Sequence, residues 1–192
     1  TIQSIYRGGV VATEQQKLSA LSHAYTFKSI KHSFLLMSNA KTKQTIINKA
    51  LHYYNTDGWN CAESVYMAIF QEYYKIDVTP KTVTAYGGGI ARTGSLCGAV
   101  NVGIMGISQK YGRTSPKQPF IRTQRPVFQF LDKILDQYGT LSCIKLKQTQ
   151  HAKLEAKNHK QDTQENLCTP LIRKVIETFL SLVENNKQTQ QQ

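Results

Sequence analysis

From Asn39 onward the apolar residues fall on a helical period. Ile46, Ile47, Ala50, Leu51 and Tyr54 recur at three- and four-residue steps with Lys and Gln between them. That spacing predicts an amphipathic helix ending near Asn55. Thr56-Asp57-Gly58-Trp59 reads as a turn, and Asn60 followed three residues later by Glu63 has the form of a capping box. Cys61 should therefore occupy the first helical position. This second helix carries Val65, Met67, Ala68, Ile69 and Phe70 and should run to about Tyr74. Its wide apolar face predicts a central place in the core. Thr79-Pro80 opens a short helix to Tyr86. Gly87-Gly88-Gly89 then breaks it, allowing a sharp turn or a close approach to another backbone or a ligand.

Gly94-Ser95 restarts a helix, with Ser95 as its cap and Cys97 in its first turn. Gly98, Ala99, Gly103 and Gly106 give this helix a small face against which a neighbour can cross closely. It should end near Tyr111-Gly112. The stretch from Arg113 to Pro126, with Pro116 and Pro119 inside it, predicts a loop or irregular helix. Val127, Phe130, Leu131, Ile134 and Leu135 mark a helix closed at Tyr138-Gly139. Ser142 before Cys143 signals another start. The run from Lys147 to Asn166 is polar enough to be a flexible connection. Thr169-Pro170 begins a last helix striped by Leu171, Ile172, Val175, Ile176, Phe179, Leu180 and Val183. No strand pattern of comparable length competes. The expected fold is all-α, a compact bundle of about five to six helices with flexible N-terminal and C-terminal extensions. Its expected parts are an unassigned leader or extension over 1–37, upstream of an alternative start at Met37, a single helical four-cysteine domain over 38–185, and a Gln-rich tail over 186–192.

Composition narrows the function classes. With 40% hydrophobic and 19% charged residues the chain is of ordinary globular make-up. The longest apolar candidate, Ala99 to Ile107, is interrupted by Asn101, Gly103 and Gly106, so no membrane span is expected. A net charge of +12 invites nucleic-acid binding. The cations are scattered, however, with the densest patch at Lys110 to Arg125 and no aromatic-interleaved box beside it, so that partner is not expected. His52 sits on the first helix, His151 and His159 in the polar connection, and His23 and His32 in the leader; none forms a Ser/His/Asp pattern. The glycine triplet lacks the strand that a dinucleotide fingerprint demands, and no phosphate-cradling loop is present.

What remains is cysteine chemistry. Cys61, Cys97, Cys143 and Cys168 are an even set that could form two disulfides, or act as ligands or redox thiols in a reducing compartment such as the cytoplasm. A chain of this size can bury a core without covalent staples, which favours chemistry. All four fall at or beside an expected helix start. There the unpaired N–H groups and the positive dipole end stabilise thiolates, the form that ligates metal or attacks disulfides. No C-x-x-C spacing accompanies them, so any shared site must be assembled by the fold.

Asn60-Cys61-Ala62-Glu63-Ser64-Val65, the block from Gly87-Gly88-Gly89 through Leu96-Cys97-Gly98-Ala99-Val100-Asn101-Val102-Gly103, Ser142-Cys143 and Leu167-Cys168 together resemble the C_GCAxxG_C_C family, described as redox-active proteins. The resemblance extends over roughly 42–183. It departs at Leu96, where the family pattern has Gly before Cys, and at Gly98, which intervenes before Ala99. The polar stretch between Cys143 and Cys168 is also longer than the pattern suggests. The resemblance implies a helical bundle whose Cys61, Cys97, Cys143 and Cys168 are redox-active or hold an iron–sulfur cluster or another metal ion. Gly87, Gly88, Gly89 and Gly98 are expected to bring backbone donors to that site. A thiol-redox or electron-transfer role implies a redox partner protein, and self-association into a homo-oligomer is compatible with it. The alternative is a structural protein tied by zinc or disulfides and acting as a binding module.

Overall fold

The computed structural model describes residues 40–148 and 168–185; the expected leader, most of the polar connection and the tail lie outside them. Two compact units divide the chain, Thr1–Thr42 and Lys43–Gln192. The second carries all four cysteines. Helix α1 occupies 40–55, α2 Cys61–Met67, α3 Gly98–Tyr111, α4 Ile121–Tyr138, α5 begins at 143, and α6 spans Thr169–Asn185. A π segment, Ala68–Tyr73, continues α2, and a 3-10 helix covers Pro80–Tyr86. Among the described residues there is no strand, only an isolated antiparallel bridge between Leu96 and Ser142. The fold is all-α.

Helix α3 is the centre of the packing, touching α2, α4 and α6. Its small residues explain why. A Cβ at Gly103 would lie 2.4 Å from the Phe130 ring of α4, and one at Gly106 would lie 2.8 Å from Ile69 and 3.0 Å from Phe179. The buried stripe of α6, Leu171, Ile172, Val175, Ile176, Phe179 and Val183, covers the other side. Helix α1 buries Ile46, Ile47 and Ala50. It is tied down by Lys43–Glu184 at 2.5 Å, by Tyr53 donating to Glu72 at 2.8 Å, and by Thr169 donating to Asn55 at 2.8 Å.

Three local outcomes differ from the sequence expectation. The helix of Cys61 widens into a π turn after Met67, with Tyr74 N–H donating to the Ile69 carbonyl five residues back. The wider turn lets Tyr73 and Tyr74 both pack edge-to-face with Phe179, at ring separations of 5.3 and 6.0 Å, and Tyr74 donates to the Gly106 carbonyl. Helix α4 begins at Ile121 and contains Pro126. A proline there removes one intrahelical bond in the second turn. The Thr123 hydroxyl, donating to the Tyr111 carbonyl at 2.7 Å, anchors the start to the end of α3 instead. Helix α3 begins at Gly98 with Cys97 itself as the N-cap, not Ser95, whose backbone is engaged elsewhere.

The capping box forms as the sequence predicts. The Asn60 side-chain oxygen accepts from Ala62 and Glu63 N–H, and Glu63 accepts from Asn60 N–H at 2.9 Å. The same two side chains reach the 3-10 helix: Asn60 donates to the Thr84 carbonyl, and the Thr84 hydroxyl donates to Glu63 at 2.5 Å. Asn60→Ala removes the cap together with its own bond to the Thr84 carbonyl. It should destabilise the protein by about 1–2 kcal/mol and lower the Tm by about 3–6 °C. Differential scanning calorimetry would check this, and an unchanged Tm would refute it.

Candidate redox site

Each cysteine stands at a helix start, as the sequence indicates. Cys61 is the first residue of α2, Cys97 caps α3, Cys143 is the first residue of α5, and Cys168 immediately precedes α6. The bridge between Leu96 and Ser142 joins two of these starts. Cys97 N–H donates to the Leu141 carbonyl at 2.9 Å, and Cys143 N–H donates to the Ser95 carbonyl at 2.7 Å. The Ser142 hydroxyl donates to the Gly94 carbonyl at 2.9 Å. This short antiparallel pairing sets Cys97 opposite Leu141 and Cys143 opposite Ser95, so the two cysteines stand diagonally across it. The 3-10 helix and the α2 cap bring Cys61 to the same place, and α6 brings Cys168. All four cysteines are free thiols and line one cavity of about 880 Å³.

The four sulfurs are not equivalent. The Cys61 thiol is pushed down, to a pKa of about 6. The chief cause is the Cys97 thiol, which donates to it; burial works in the opposite direction, and the N–H groups of Gly88, Ala99 and Ala62 add further donors. Cys97 is pushed well above the usual thiol range by its bond to Cys61, by burial and by the negative charge of Cys61. Val100 and Ala99 N–H groups partly offset this. The first turn of α3 therefore serves both sulfurs. Burial also raises Cys143 and Cys168; Lys147 opposes the rise at both, and a hydrogen bond from Tyr54 opposes it further at Cys168. The expectation that every helix start would lower its thiol is corrected here. Burial outweighs the dipole at Cys143 and Cys168, the bond to Cys61 does so first at Cys97, and at Cys61 a neighbouring thiol, rather than the helix alone, supplies the decisive donor.

Two of the four glycines expected at the site, Gly87 and Gly88, line the cavity. The other two lie where backbones crowd behind it. A Cβ on Gly89 would come within 2.5 Å of the Cys143 Cβ, and one on Gly98 within 2.4 Å of the Tyr86 carbonyl oxygen. Positive φ then continues past the glycines through Ile90, Ala91 and Arg92. Such a run of L-residues is strained, at about 1–2 kcal/mol each. It is pinned by Ala91 N–H to Ala85, Arg92 N–H to Gly87 and Gly94 N–H to Gly88.

A family model described as "Putative redox-active protein (C_GCAxxG_C_C)" matches residues 59–182. The chain belongs to this family. No curated protein and no solved structure matches it. In this C_GCAxxG_C_C protein, no helix among the described residues is long and apolar enough to cross a membrane. No group of three or more His, Cys, Asp or Glu side chains among them is gathered closely enough to hold a metal ion.

Sequence reasoning missed several residues of the site. Tyr54 lies on the first amphipathic helix and reads as core until its contact with Cys168 is seen. Arg92 and Lys147 are two cations among 24. The glycine triplet was a signal for Arg92, since the chain reverses there. Nothing in the spacing marks Lys147 beyond its position four residues after Cys143, one turn along a helix.

Proposed function

We propose that this protein is a dithiol–disulfide redox protein in which Cys61 is the attacking thiolate and Cys97 the resolving thiol. The observation that carries the reading is the pairing of a thiolate at Cys61 with a donating thiol at Cys97 on one set of α3 N–H groups. The Cys61 sulfur attacks a substrate disulfide, forms a mixed disulfide and releases one substrate thiolate. Once Cys61 is uncharged, the bond and the charge that keep Cys97 protonated vanish, while the Ala99 and Val100 donors remain. Cys97 then gives its proton to the departing thiolate and attacks the Cys61 sulfur. The second substrate thiolate leaves, and the oxidation of the Cys61 and Cys97 thiols to a disulfide has supplied the two electrons that reduced the substrate. A partner dithiol protein of lower potential, in the reducing environment of the cytoplasm, restores the pair. Cys143 and Cys168 form a second thiol set at the same cavity.

Reduced and oxidised protein, alkylated and digested, should reveal a disulfide between Cys61 and Cys97 that forms in oxidising buffer and is abolished by Cys61→Ser or Cys97→Ser. Four thiols unchanged between oxidising and reducing buffers would sink the reading.

The second reading is a metal or iron–sulfur electron-transfer centre, favoured by the four sulfurs sharing one cavity. Thiolate donors suit zinc or an iron–sulfur cluster. Their placement does not suit either as it stands, since no three ligating side chains among the described residues converge on an ion-sized position. No step is therefore derived through such a group. Stoichiometric iron or zinc in protein purified without oxygen would favour this second reading over the first.

A further inference from the structure

Among the described residues, the charged side chains that line the cavity are Arg92 and Lys147, and no carboxylate joins them. Neither takes part in an ion pair among the described residues. The acids nearest in the chain to the cavity wall are engaged elsewhere, Glu63 with Asn60 and Thr84, and Asp57 with His52. Lys147, one turn after Cys143, exerts its charge on both Cys143 and Cys168. Arg92 folds back over Gly88, the residue whose N–H serves Cys61: a Cβ on Gly88 would lie 2.9 Å from the Arg92 Cα. Arg92 is also the last of five consecutive positive-φ residues, held there by its N–H bond to the Gly87 carbonyl. Strain of this kind persists where the surroundings over-determine it, and it clusters at ligand clamps. The volume, about 880 Å³, falls within the range of small-molecule sites.

We propose that the cavity takes a small disulfide that carries a carboxylate on each half, with Arg92 and Lys147 receiving the carboxylates while Cys61 attacks the bond between them. The proposal rests on the dithiol reading above and adds the substrate class. The exchange is the one already described: the bond between Cys61 and one substrate sulfur forms, the substrate S–S bond breaks, and the other half leaves as a carboxylate-bearing thiolate. Two cations with no ion-pair partner among the described residues, set in a concave site, raise the local concentration of such an anion and speed its encounter, an effect that salt weakens.

The test compares reduced full-length protein against dithiodiglycolate, hydroxyethyl disulfide and cystamine, which are anionic, neutral and cationic. At low salt the anionic probe should react about tenfold faster than the neutral one relative to the same pair on free cysteine, and the cationic probe slower still. Arg92→Gln and Lys147→Gln should each close most of that gap, whereas Lys133→Gln, at an exposed position of α4, should leave it. Equal rates for all three probes would overturn the proposal. So would a gap that survives both cavity variants or is erased equally by Lys133→Gln, since the overall charge of +12 would then be its source. Labelling of Cys61 by iodoacetate against iodoacetamide, again relative to free cysteine, reads the same charge preference without disulfide chemistry. Preference in this labelling with no disulfide reacting would keep the anion site and end the dithiol reading. Disulfide reaction without preference would do the reverse.

Discussion

Alkylation of reduced protein should show Cys61 reacting with a half-point near pH 6, ahead of the other three thiols, and Cys97→Ala should move that half-point upward. The lowered value of about 6 has the Cys97 thiol as its largest cause, so removing the donor leaves burial opposed only by backbone N–H groups. At pH 7 the alkylation rate should fall by about tenfold or more, because an ordinary thiol is only a few per cent ionised there. Cys97→Ser keeps an O–H donor and should hold the half-point low. That split separates a donor from a merely structural residue. The two titrations interact, so the first proton lost belongs to the pair, with the charge resting on Cys61. Equal behaviour of the alanine and serine variants would end this account.

The same shifts set a pH dependence of stability. Cys61 is lowered in the folded protein, so its contribution is fully present above the unfolded thiol value and is lost as pH falls toward about 6. Cys97 is raised, so its contribution is present below the unfolded value and fades as pH rises above it. Reduced wild type should therefore gain stability relative to Cys61→Ser between pH 6 and about 8.5, followed by denaturant midpoints. A difference that shrinks over that window would contradict the assignment of the thiolate to Cys61.

Gly98→Ala should be the most damaging glycine substitution for the chemistry. Its new Cβ would lie 2.4 Å from the Tyr86 carbonyl oxygen and 3.1 Å from the Ala62 Cβ. Both belong to backbone-anchored elements that cannot yield as a flexible side chain could. The first turn of α3 must move away from the 3-10 helix and α2, carrying the Ala99 N–H away from Cys61. Overpacking of this kind should destabilise by about 1–3 kcal/mol. Gly103→Ala should destabilise comparably through the buried Phe130 ring, on the face of α3 toward α4. The two variants differ in the second readout. Gly98→Ala should raise the alkylation half-point of Cys61, whereas Gly103→Ala should leave it in place. Tm measurements paired with pH profiles would check both, and a Gly98→Ala profile identical to wild type would show that α3 does not set the thiolate.

Much of this arrangement is legible in the residue order, because it rests on local physics. The 3.6-residue period of Ile46, Ile47, Ala50 and Tyr54 makes α1, and the striped residues from Leu171 to Val183 make α6. Asn60 and Glu63 cap α2 through contacts spanning three residues, so Cys61 could be placed at a helix start before any tertiary contact was known. The small face of α3 announces close crossings without naming what crosses. Long-range effects are not legible in that way. The N-cap of α3 shifts from Ser95 to Cys97 because Ser95 pairs across the bridge to Cys143. Helix α4 starts ahead of Pro126 because Thr123 is bound by Tyr111, twelve residues earlier. The π turn exists for the sake of Phe179, more than a hundred residues away.

The thiol chemistry divides along the same line. Four cysteines at four helix starts follow from composition and caps alone, since a helix start is defined within one turn of chain. Which of them becomes the thiolate depends on a neighbour brought from another helix and on N–H groups of Gly88 and Ala99, residues 27 and 38 positions from Cys61 in the chain. A pKa is a property of surroundings in space, and only folding assembles those surroundings.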